Sequence, residues 1–191
     1  MKHRIFIAIN LPEDIKKNLS NYQSGWPELP IRWVKSENLH VTLVFLGYLS
    51  DEDLIEVCKI AKEVSQRNKS FLINLKKIGY GPPKKFPPKM VWVEGEKSQE
   101  LANLKNDLEN SLLERIHPGS LEKGRGRPFA LHITLGRIRQ WEWRKIEPEE
   151  RPEISKEINL TFEVNSIEVM ESELKRGGAE YRVLESVPLI V

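Results

Sequence analysis

The pentapeptide LHVTL at residues 39–43 returns as LHITL at residues 131–135, with four positions identical and Val exchanged for Ile at the other. At average residue frequencies, a near-copy of a given His-containing pentapeptide arises by accident in roughly one chain in several thousand. The repeat therefore constrains the fold: one local structure is used twice. Both copies read as strands, and successive side chains on a strand point to opposite faces. Leu39, Val41 and Leu43 share one face, as do Leu131, Ile133 and Leu135, and each apolar trio is suited to packing beneath helices. His40 with Thr42, and His132 with Thr134, are left on the other face.

The remaining elements follow from periodicity and punctuation. Residues 4–11 read as a first strand closed by Pro12, and a helix follows with Ile15, Leu19 and Tyr22 on one side. A second helix starts after Ser50, a candidate cap, with Leu54, Val57, Cys58, Ala61 and Val64 at helical spacing. Leu101, Leu104, Leu108 and Leu112 stripe a third. Residues 140–157 are polar and Pro-punctuated, with a helical turn expected around Trp141 to Ile146. Residues 158–172 alternate like one long strand or a strand pair, and residues 179–191 form the terminal strand. Trp33, Trp92 and Phe71 are expected in the core.

Strands and helices do not alternate strictly, which argues against a doubly wound parallel sheet. The expected class is α+β: two antiparallel or mixed sheets related by a pseudo-two-fold, lining a central cleft, with helices on the outer faces. Residues 1–191 are read as a single domain of two lobes, each carrying one His–Thr pair.

Across such a cleft the two pairs bring two imidazoles and two hydroxyls around a small volume. Displacement at phosphorus needs a base for the attacking oxygen and an acid for the departing one, and histidines serve both roles near neutral pH. Threonine hydroxyls can donate to the non-bridging oxygens. Arg137, five residues after His132, adds a fixed cation that binds an anion or stacks on a base. One His–Thr pair on a strand is usually structural; two in the same local context argue otherwise. Two histidines can begin a metal site, but no Asp, Glu, Cys or third His stands at ligand spacing near either copy; His3 and His117 sit in a strand start and a turn. No metal and no cofactor is expected. Nucleophile-elbow, P-loop and dinucleotide fingerprints are lacking.

Composition narrows the partners. Thirty Lys and Arg against 28 Asp and Glu leave a net charge of +2, too little to favour nonspecific DNA binding. Local basic patches remain, and Lys84, Lys85 and Lys89 in one loop with Lys123, Arg125 and Arg127 in another are candidate RNA contacts. The lone cysteine, Cys58, can close no internal disulfide, and the apolar run near the N-terminus is too short to span a bilayer, so a cytoplasmic location is expected.

Four stretches carry a resemblance: RIFIAINLP, RWVKSENLHVTLVFLG, PFALHITLGR and SELKRGGAEYRVLESVPL. They resemble the 2H phosphoesterase superfamily, and most closely its RNA 2′,3′-cyclic phosphodiesterase branch, also called 2′-5′ RNA ligase. Leu131 stands where Pro often precedes the histidine, and Gly178-Ala179 where Gly-Pro is common; neither departure touches a chemical group. The resemblance implies a bilobal fold, metal-independent hydrolysis of RNA 2′,3′-cyclic phosphate ends to 2′-phosphates, and reversible 2′-5′ ligation. It makes His40 the proton donor and His132 the proton acceptor, with Thr42, Thr134 and Arg137 on the phosphate. It also matches Phe45 to an aromatic that touches the base, although regular strand alternation puts Phe45 on the face opposite His40. The partner is an RNA end, with no membrane and no obligate protein partner, and the protein is expected to be monomeric. The rival readings are an enzyme for another small cyclic phosphate or a 2′-5′-linked oligonucleotide, and a non-catalytic RNA-end binder. Intact histidines in both motifs argue against the last.

Overall fold

Alternating apolar runs broken by Gly, Pro and Asn divide the chain into short strands. The computed structural model describes residues 2–83, 85–116, 129–176 and 178–191. The strands are β1 His3–Asn10, β2 Ile31–Trp33, β3 His40–Leu49, β4 Phe71–Gly81, β5 Met90–Gly95, β6 His132–Ile138, β7 Ser155–Val164, β8 Ser166–Lys175 and β9 Gly178–Pro188. The helices are α1 Glu13–Gln23, α2 Asp51–Ser65, α3 Gln99–Arg115 and the short α4 Gln140–Trp143. Ser50 caps α2, its Oγ accepting from the Asp53 N–H at 3.1 Å. The leucine stripe of α3 is wholly buried. Residues 158–172 fall in two strands that meet at Asn165, and the helical turn after β6 begins at Gln140, one residue before the expected Trp141, and ends at Trp143.

The strands form an antiparallel sheet in the order β7-β4-β5-β6-β3-β1-β8-β9, with β2 also on β6. At its centre β3 and β6 are joined through a single pair, Val41 with Ile133. These are the same position of the two repeats, so the pseudo-two-fold passes between them. Outward from that seam, β3-β1-β8-β9 matches β6-β5-β4-β7 strand for strand. The two expected sheets are thus two arms of one curled sheet. Helices α1 and α3 cross the seam. α1 leaves β1 yet packs on β6, where Gln23 Nε2 donates to the Val34 and Leu135 carbonyls at 2.9 and 3.2 Å. α3 leaves β5 yet packs on β3 and on α2. One apolar core fills the space between these helices and the sheet.

Each inner strand carries a bulge at the same place. Ile7 pairs with Val44 but Ala8 with Thr42, so Leu43 is the extra residue, and both Leu43 and Val44 are buried. In the other arm Val91 pairs with Gly136 but Trp92 with Thr134, and Leu135 and Gly136 are both buried. A bulge inserts one residue and reverses the alternation beyond it. The expectation that Phe45 faces away from His40 is therefore corrected: the bulge returns Phe45 to the face of His40, and its counterpart returns Arg137 to the face of His132. Gly136 is needed there, because a Cβ would come within 2.4 Å of Ile31 Cγ2 and 2.8 Å of Trp33 Cε3. Trp92 is buried, as expected, but on the face away from the helices.

Candidate active site

His40 opens β3, just after a 3-10 turn at Ser36–Asn38, and His132 opens β6. Each Nδ1 lies against the carbonyl two residues upstream: His40 against Asn38 O at 2.7 Å, His132 against Ala130 O at 2.9 Å. A carbonyl only accepts, so Nδ1 carries the proton in both rings and Nε2 is the nitrogen left for chemistry. His40 Nε2 is 3.0 Å from Thr42 Oγ1. Among the described residues, His132 Nε2 has no hydrogen-bond partner.

The surroundings of the rings differ. Phe6 and Tyr181 lie 5.1 and 5.2 Å from the His40 ring centroid, and Trp92 lies 4.4 Å from that of His132. Burial among the aromatics pushes the pKa of His40 below 6.5. The Asn38 carbonyl opposes that shift, and the nearby charge of His132 adds to it.

A cavity of about 170 Å³ gathers His40, Thr42, Phe45, His132, Thr134 and Arg137. A wider groove of about 760 Å³ opens from the same floor and runs past Met90, Trp92 and Phe129 towards Pro82 and Pro83. Arg137 Nη1 lies 3.6 Å from Met90 Sδ, and no carboxylate among the described residues pairs with its guanidinium. Such a set can hold a tetrahedral anion between two imidazoles, with hydroxyls and a guanidinium on its oxygens.

Other sequence candidates lie elsewhere. Lys85 and Lys89 are exposed and line neither cavity, although the Lys89 carbonyl accepts from the Ile138 N–H at 3.0 Å, just beyond Arg137. Lys84, Lys123, Arg125 and Arg127 lie outside the described residues. His3 is held by Glu171 and Asp51 at 2.6 and 2.8 Å, away from both cavities. Cys58 is half-buried on α2, and burial raises its thiol pKa. Among the described residues, no three His, Cys, Asp or Glu side chains gather as metal ligands. Sequence reasoning missed Arg4, Phe6, Ser172 and Tyr181, which also line the smaller cavity, and took Trp92 for core alone. Arg4 and Phe6 alternate with the buried Ile5 and Ile7, so their shared face was readable; what that face looks upon depends on strand pairing.

The family described as LigT like Phosphoesterase matches residues 9–92. The chain is 30% identical to an RNA 2′,3′-cyclic phosphodiesterase of Thermotoga maritima over 186 residues, covering 95% of this chain and 92% of the relative. Its fold is similar to that of TT0787 of Thermus thermophilus, with a TM-score of 0.84 and 27% identity over 97% of each chain. It is also similar to Escherichia coli LigT complexed with 3′-AMP, with a TM-score of 0.77 and 26% identity over 99% of each chain.

Proposed function

The chain belongs to the LigT-like phosphoesterase family, and from that premise we propose that it hydrolyses 2′,3′-cyclic phosphates at RNA ends to 2′-phosphates. The observation that carries this reading is the pair of imidazoles in one cavity, each with its Nδ1–H tied to a backbone carbonyl and its Nε2 left for proton transfer. The relatives' substrate supplies the class of ligand.

Each residue then has a task. His132 Nε2, without a hydrogen-bond partner among the described residues, takes a proton from water as the water oxygen attacks phosphorus. The bond from phosphorus to O3′ breaks, and His40 Nε2–H protonates the departing oxygen. The phosphate stays on O2′. Thr42, Thr134 and Arg137 hold the non-bridging oxygens as charge builds on them. The exposed part of the Phe45 ring contacts the base. With a ribose 5′-hydroxyl in place of water, the same two proton transfers join the strands through a 2′-5′ linkage. Acid, base and anion-binding groups are all side chains, so activity is expected to survive a chelator.

The test is turnover of an oligonucleotide ending in a 2′,3′-cyclic phosphate, with the product identified as the 2′- or 3′-phosphate. His40→Ala and His132→Ala should each lose about 10²–10⁴-fold. A 3′-phosphate product reverses the two roles, and full activity in either variant sinks the mechanism.

A further inference from the structure

Arg4 stands in the same cavity as the histidines, yet no step above uses it. It is half-buried. Its Nη1 donates to Ser172 Oγ at 3.2 Å, and its guanidinium carbon lies 5.0 Å from the Phe45 ring centroid. Those are its partners among the described residues. Arg67, Arg115 and Arg139, which line neither cavity, are each matched by a carboxylate, and the half-buried Arg151 donates to the Ile146 carbonyl, whereas Arg4 meets only a hydroxyl and a ring among the described residues. A guanidinium offers five N–H donors in a rigid fork. Leaving such a charge half-buried without a counter-charge is costly, which marks it as waiting for an anion. Ser172, only 6% exposed and lining the same cavity, spends an acceptor on Arg4, so its own proton is free to point at that anion.

Position says which anion. Along that face of β1 the residues run Ala8, Phe6 and Arg4, of which Phe6 and Arg4 line the cavity, opposite Thr42, Phe45 and Tyr48 of β3. At about 3.4 Å per residue, the Arg4 backbone is about 14 Å along the strand from Ala8. Its side chain lies over Phe45. The backbone order along the face is therefore the His–Thr set, then Phe45, then Arg4, whose guanidinium reaches back over the Phe45 ring. An RNA end presents its groups in the same order: the cyclic phosphate, the nucleoside, and the phosphate on the 5′-oxygen of that nucleoside.

We propose that Arg4 and Ser172 form a second anion subsite that takes the 5′-phosphate of the terminal nucleotide. The subsite rests on the phosphodiesterase reading above. It lets the enzyme distinguish the end of an RNA chain from a free cyclic nucleotide.

The experiment compares kcat/KM for adenosine 2′,3′-cyclic phosphate with that for the same nucleotide bearing a 5′-phosphate. One charge-assisted contact should favour the 5′-phosphorylated substrate about 10–100-fold, chiefly through KM. In Arg4→Gln that ratio should fall to about one, and Arg4→Lys should keep part of it. If wild type shows no preference, the proposal is overturned. So it is if Arg4→Gln lowers both constants together and keeps their ratio, because Arg4 then serves the cyclic phosphate or the fold. Should Arg4→Gln not fold, Ser172→Ala decides: a reduced ratio supports the subsite and an unchanged one overturns it. If neither nucleotide is hydrolysed, the function reading fails but the subsite is still decided by calorimetry with adenosine 5′-monophosphate and adenosine. Tighter binding of the phosphorylated form that is lost in the variant supports it; equal binding overturns it.

Discussion

The two imidazoles occupy the same strand position, each tied to the carbonyl two residues upstream of it, and differ in what surrounds them. His40 lies between Phe6 and Tyr181, and burial holds its pKa below 6.5. Taken alone, that would suit a base. A cyclic phosphate carries a negative charge, however, and an anion beside a buried imidazole favours its charged form. The acid acts only when protonated, so activity falls as pH rises through its pKa. For kcat/KM, which reports the free enzyme, His40 loses its proton at the lowered pKa, which draws the alkaline limb to lower pH. For kcat, which reports the bound complex, the limb should move to higher pH. Paired pH profiles on the cyclic substrate check this. An alkaline limb of kcat at or below that of kcat/KM would mean that bound phosphate does not charge His40, and His40 would not be the acid.

The bulges matter most at the level of elements. Phe45 and Arg137 each follow their histidine by five residues, an odd offset that a regular strand sends to the far face. Leu43 and Leu135 are the inserted residues that bring both back. In the second arm the bulge depends on Gly136, whose missing side chain leaves room for Ile31 and Trp33 of β2. Gly136→Val should displace β2 or the bulge, and Arg137 with it. An arginine bonded to phosphate is worth about 10–100-fold, so kcat/KM should fall by that order. The check is a double-mutant cycle with Arg137→Ala: if the bulge works through Arg137, the double variant is little worse than Arg137→Ala alone. Fully multiplicative losses would separate the bulge from the arginine. The same feature explains what could be read in advance. The α3 stripe, the Ser50 cap and the pairing of each His with its Thr follow from local periodicity, and all stand as read. Phe45 did not, because a bulge is a mismatch in register between two strands and leaves no trace in the alternation of one. Arg4, Ser172 and Tyr181 reach the cavity from β1, β8 and β9, whose order in the sheet is set by contacts far apart in sequence.

For the whole molecule, a site split between two arms is only as well ordered as the seam between them. The inner strands meet there through one residue pair, Val41 with Ile133, too little to fix the angle between the arms. The brace lies behind the sheet, where α1 reaches across to β6 and α3 reaches across to β3 and α2. Arg115 joins α3 to Glu56 and Glu63, and Arg67 joins the end of α2 to Asp107. Those pairs are largely exposed, individually weak and screened by salt. The buried leucines of α3 outweigh them, since Leu→Ala at such a site costs about 2–5 kcal/mol. Leu104 belongs to that stripe, whereas the equally buried Ile73 sits on β4, one strand from the edge of its arm. Leu104→Ala and Ile73→Ala should lose similar stability in denaturant titrations. Only Leu104→Ala loosens the element that spans the seam. Assayed well below both unfolding transitions, Leu104→Ala should therefore lower kcat severalfold while Ile73→Ala leaves it near wild type. Equal kcat in the two variants would mean that the sheet alone holds the histidines in register, and that the crossing helices serve stability without serving the site.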